Sequence, residues 1–73
     1  MAIPPLVVVY PPDPQGARRV RIDGMIAGRA FSARDVLEFL RRAGLDPDVI
    51  DLEDSAFVEW RGGGPDVWPE PPS

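Results

Sequence analysis

The sequence has no cysteine, no histidine and no lysine. Without cysteine there is neither a disulfide to staple the fold nor a thiolate to hold a metal. Without any of the three, the usual nucleophile–base pairs cannot be assembled. Of the serines, Ser32 is accounted for by helix capping, and Ser55 and Ser73 have no base beside them. The chain is therefore read as a non-enzyme, with no catalytic residue, no cofactor and no evident small-molecule substrate. Threonine and asparagine are missing as well, and all eight basic residues are arginine. A genome rich in G and C favours arginine, alanine, glycine, proline and aspartate codons, so a bacterium of that kind, or its phages and plasmids, is the expected source. No apolar run is long enough to span a bilayer and none has the layout of a signal peptide. A cytoplasmic location and no membrane partner are the expectation.

Seventy-three residues make one domain with a small core. Its clearest segment runs from Phe31 to Leu45, FSARDVLEFLRRAGL. Ser32 is placed to cap a helix, with Asp35 reaching back to the Ser32 N–H as a capping box and Phe31 and Val36 at staple positions. Val36, Phe39, Leu40 and Ala43 recur at the spacing of one apolar helical face. Arg41 and Arg42 complement the dipole in the last turn. Gly44 and Leu45 fit a Schellman ending, and Pro47 blocks continuation. The helix is predicted at about Ala33 to Ala43.

Residues 1–5 read as a loose start. Leu6 to Tyr10 (LVVVY) is a short apolar run, predicted as a central strand buried on both faces and ended by Pro11, Pro12 and Pro14. Ala17 to Ile22 alternates, with Val20 and Ile22 on one side and Arg19 and Arg21 on the other. Asp23-Gly24 is a hairpin turn, so Met25 to Ala30 returns, with Ile22 opposite Met25, Val20 opposite Ala27 and Arg19 opposite Gly28. The face made by Val20, Ile22, Met25 and Ala27 is the expected seat of the helix. Ala56 to Arg61 is the last strand. Right-handed crossover makes it parallel to the first. The fold class is α+β: β-β-β-α-β, a mixed, mostly antiparallel sheet of order 3-2-1-4 with one helix on one face. The domain is expected over 6–64, followed by a proline-rich tail at 65–73 that holds four of the ten prolines.

Charge is unevenly spread. Residues 17–42 carry seven arginines against three carboxylates, and residues 43–73 carry one arginine against eight. The two blocks are expected to neutralise each other on folding. Asp46, Asp48 and Asp51 hint at a calcium loop, but Ile50 and Asp51 stand where an EF-hand needs an oxygen ligand and a glycine, so no metal site is expected. Gly62 to Gly64 precede prolines rather than a helix and read as a hinge, not a phosphate cradle.

Two function classes remain. One helix covers one face of a four-stranded sheet, which leaves Arg19, Arg21, Ile26 and Phe57 on a face that a second copy or another protein could cover. Trp68 either folds back onto the core or serves as a hook for a partner. The first reading is thus a non-enzymatic accessory or regulatory protein acting by protein–protein interaction, self-associating as a homodimer. The alternative is a nucleic-acid-binding regulator whose hairpin 18–29 offers Arg18, Arg19, Arg21 and Arg29 to phosphates.

Overall fold

The computed structural model describes residues 5–69. Residues 1–4 of the expected loose start and residues 70–73 of the tail lie outside that range. The elements are β1 (Val7–Pro12), β2 (Arg18–Ile22), β3 (Met25–Ala30), α1 (Ala33–Arg42) and β4 (Val58–Trp60). They form a four-stranded sheet of order β3-β2-β1-β4, with β1 antiparallel to β2 and parallel to β4. This is the expected β-β-β-α-β topology. Arg21 and Ile22 meet Ile26 and Met25 across the Asp23-Gly24 turn, whose two residues both take positive φ (52° and 78°).

Val7 and Val9 of β1, Val20 and Ile22 of β2, Ala30, Val36 and Leu40 of α1, Ile50 and Val58 form one core on the helix side of the sheet. Fully burying a side chain such as Val or Leu contributes about 1.5–3 kcal/mol. The helix begins as its sequence dictates: the Asp35 N–H donates to Ser32 Oγ at 3.3 Å. The return contact differs from expectation, because Asp35 Oδ2 accepts from the Phe31 N–H (2.8 Å) rather than from Ser32. At the other end the Leu45 N–H reaches Leu40 O (2.9 Å) and the Gly44 N–H reaches Arg41 O (3.0 Å), the two bonds of a Schellman motif.

Three expectations about the sheet are corrected. The hairpin register slips by one residue after Arg21, so Val20 faces Gly28 and Arg19 faces Arg29. Ala27 is the extra, bulged residue, and Ala27 and Met25 stay exposed. The bulge puts Gly28 beneath the helix: a Cβ there would lie 2.8 Å from Phe39 Cζ, so only glycine lets the ring come this close. Next, β1 continues through Pro11 and Pro12, because a register shift between Val9 and Pro12 spares the missing N–H groups. It is also buried on one face only, with Val8 and Tyr10 half-exposed. Finally, β4 is three residues long. The Phe57 and Val58 N–H groups are held by Asp54 O instead, so pairing starts late.

Candidate functional site: an open sheet face backed by an arginine clasp

Arg18, at the start of β2, shares the strand face of Val20 and Ile22 and has no exposed surface. A lone guanidinium in a core is costly unless its charge and all its donors are satisfied. Here every donor is. Nε donates to Tyr10 O (2.9 Å), Nη1 to Gly64 O (2.9 Å) and Val67 O (3.1 Å), and Nη2 to Arg61 O (2.9 Å) and Gly63 O (2.8 Å). Among the described residues no carboxylate takes part. Trp60 and Trp68 flank the guanidinium with ring centroids 5.2 and 5.4 Å from Cζ, and they meet each other edge-to-face at 6.1 Å. Burial lowers the Arg18 pKa. Arginine titrates so far above neutrality that it keeps its charge.

The glycine run is cut to fit this clasp. Gly62 has φ 74°, and a Cβ there would sit 2.6 Å from Pro11 Cβ; at Gly63 it would sit 2.9 Å from Val67 Cβ. Gly62 and Gly63 are thus closely packed, which argues against a hinge. The Gly63 and Gly64 carbonyls point inward at a cation, the reverse of a phosphate cradle. Trp68 packs against the core with its Nε1–H on Pro65 O (2.6 Å), and the Trp60 Nε1–H donates to Leu52 O (2.7 Å).

Neighbouring residues of the same strand go the other way. Arg19 and Arg21 are exposed on the sheet face that the helix leaves bare. Register places Ile26 and Val8 beside Arg21, Glu59 beyond Val8, and Arg29 beside Arg19. Ile26 is 73% and Phe57 44% exposed. The Tyr10 ring lies between the guanidiniums of Arg21 (5.9 Å) and Arg61 (5.1 Å). Two shallow hollows flank this tyrosine. One, of about 370 Å³, is bounded by Tyr10, Pro12, Arg19, Arg21 and Ile26; the other, of about 540 Å³, by Leu6, Val8, Tyr10, Arg21 and Phe57.

The structure thus brings Arg19, Arg21, Ile26 and Phe57 together and places Trp68 on the opposite side of the sheet. Of the four arginines offered to phosphate, Arg18 is withdrawn into the core. Arg29 is engaged by Asp13 (2.7 Å) and Gln15 (2.7 Å). That bond from Arg29 is the main reason the Asp13 carboxyl is held below its ordinary pKa of 3.8. Asp13 also accepts from the Gln15 and Ala17 N–H groups and so closes the β1–β2 connection. Arg61 pairs with Glu59, and Arg41 with Glu38. Among the described residues no ion pair joins Arg19 or Arg21 to a carboxylate.

The acidic segment does not neutralise the hairpin. Asp46, Asp51 and Asp54 each accept from the backbone N–H two residues onward, a local Asx turn. Ile50 anchors the segment in the core on the helix side of the sheet, away from Arg19 and Arg21. The described residues hold no group of three carboxylates placed to share a metal ion. No described helix is long and apolar enough to cross a membrane. Comparison with protein-family models, with curated proteins and with solved structures gave no match.

Tyr10 is the face residue that sequence reasoning missed. It was hidden in an apolar run that looked buried throughout, and the signal for it was the alternation Val7, Val9 against Val8, Tyr10.

Proposed function

We propose that the chain is a small non-enzymatic accessory or regulatory protein of the bacterial cytoplasm that acts by docking its open sheet face on protein, including a second copy of itself. The single observation behind this reading is the composition of that face. Ile26, Phe57 and Tyr10 leave apolar surface in water beside two arginines with no carboxylate partner among the described residues. Interfaces favour this mixture of aromatic, aliphatic and arginine side chains. The test is a photo-crosslinking residue placed at 26 or at 57 and, as control, at Arg34 on the exposed side of α1. Protein adducts concentrated at 26 and 57 support the face. Adducts equal at all three positions, or none at 26 and 57, sink it.

A second reading keeps nucleic acid as the partner. It is favoured by Arg21 standing beside the Tyr10 ring, with Arg19 lining the same hollow, a cation-and-stacking arrangement suited to single strands. Only two of the four hairpin arginines remain for phosphates, and the net charge of −4 opposes it. Retention of single-stranded DNA or RNA at low salt, falling steeply as salt rises, would support this reading. No retention at low salt would remove it.

A further inference from the structure

We propose that the occupant of the open face is the acidic segment Asp46–Asp54 of a second copy, seated head to tail. This rests on the reading that the open face binds protein, and it names the partner and the geometry. Within one chain the segment sits on the helix side and forms none of the ion pairs with the hairpin that the charge blocks invite. Its outward residues carry a specific pattern. Val49, 75% exposed, stands between exposed Asp48 and Asp51 while Ile50 holds the backbone down.

The receiving hollow repeats this pattern in complement. Tyr10, Pro12 and Ile26 supply apolar walls, and Arg19 and Arg21 supply two cations. Asp13 also lines it, but its carboxylate is already taken by Arg29. One apolar side chain between two carboxylates fits a shallow apolar hollow rimmed by two guanidiniums. A two-fold, face-to-face dimer fits badly by comparison, since it brings Arg19 and Arg21 against their own copies. Donor and acceptor surfaces on opposite sides of the sheet make the contact heterologous, so it propagates from copy to copy unless it closes into a ring.

The experiment uses the full chain and two sets of exposed substitutions, R19Q/R21Q on the face and D48N/V49S/D51N on the segment. Asparagine at 51 keeps the oxygen that accepts from the Glu53 N–H. Sedimentation velocity of the wild type at low salt is expected to show association that weakens about tenfold or more on raising salt into the range where exposed charges are screened. Each variant alone is expected at the monomer mass of 8.0 kDa. Mixed in equal amounts they are expected to form a dimer and nothing larger, because one keeps an intact segment and the other an intact face. A wild type that stays monomeric at low salt and high concentration overturns the proposal, yet leaves crosslinks at 26 and 57 free to report a different protein. Association untouched by either set of substitutions, or variants that fail to complement, overturns it as well.

Discussion

Arg18 and Arg19 are neighbours in sequence and opposites in structure. Arg18 is sealed among five carbonyl oxygens and two tryptophans, and Arg19 stands in solvent on the other face of the same strand. Strand pleat alone separates them, since successive side chains point to opposite faces. The two faces follow different physics. The clasp is a dry site in which a cation is balanced by oriented backbone dipoles, and it fixes the C-terminal segment to the sheet. The open face is wet, its arginines contribute little to folding, and they are available to a partner. An arginine cluster read as one patch is two separate devices.

The comparison predicts its largest effect at Arg18. An Arg18→Met variant matches much of the side chain's length but strands five inward-facing carbonyls. Removing one partner from a buried, fully bonded charge site costs about 3–5 kcal/mol. A domain of this length has roughly 4–11 kcal/mol in total. The variant is therefore expected to lose a large share of its stability, read as a lower urea midpoint by tryptophan fluorescence. Arg18→Lys is expected to regain less than half of the loss, because an ammonium has three donors and no planar surface to lie between two indoles. A stable Arg18→Met protein would break the claim that the clasp organises the fold.

Deleting residues 65–73 removes Val67 O, the Trp68 ring and the lid over Arg18 while leaving the sheet intact. The expected loss is about 3 kcal/mol, from buried aromatic surface and the cation–π contact together. Gly62→Ala tests the same site without removing any contact. Its φ of 74° and the 2.6 Å approach to Pro11 predict a loss of about 2 kcal/mol. An unchanged melting temperature in the deletion would show that the segment merely rests on the domain.

Much of this architecture could be read before the structure. The capped helix, the Asp-Gly hairpin and the sheet order all follow from local patterns. Two kinds of feature could not be read so directly. The bulge at Ala27 has no local signature except Gly28, whose reason is the distant Phe39 ring. The clasp joins residue 18 to residues 60–68, and no local pattern reports such a contact. Part of its signal was nonetheless present. The alternation that sends Arg19 and Arg21 outward sends Arg18 inward with Val20, and two otherwise unexplained tryptophans flank the glycine run. The candidate face was legible in Arg19, Arg21, Ile26 and Phe57. Tyr10 was not, because β-branched neighbours made its whole strand look buried.

On the open face the same chemistry should scarcely affect folding. Arg19→Gln with Arg21→Gln is expected to change stability by no more than about 0.5 kcal/mol, the usual range for surface substitutions. Thermal melts of this double variant beside Arg18→Met set the contrast directly. A large loss from Arg19 or Arg21 would mean that the face has a structural role and would weaken its reading as a docking surface.

The finest test is acid titration, because the two faces differ in what balances the arginine. Asp13 is held below its ordinary pKa of 3.8, chiefly by the hydrogen bond from Arg29. A carboxyl whose folded pKa is depressed adds stability above its unfolded pKa and loses it as pH falls through the folded value. Asp13→Asn keeps the oxygen that accepts from Gln15 and Ala17 but deletes the charge. The variant is therefore expected to melt slightly below wild type at neutral pH, with the gap beginning to close as pH falls through the ordinary carboxyl range and vanishing once Asp13 itself is protonated in the folded state. Salt should narrow the neutral-pH gap, since the pair is exposed. Among the described residues the clasp holds no carboxylate, so the deficits of Gly62→Ala and of the deletion lacking residues 65–73 should stay constant over the acid range and in salt. If those deficits shrink in acid as the Asp13 gap does, a carboxylate helps to balance Arg18 and the division between dipole-balanced and ion-paired arginines fails.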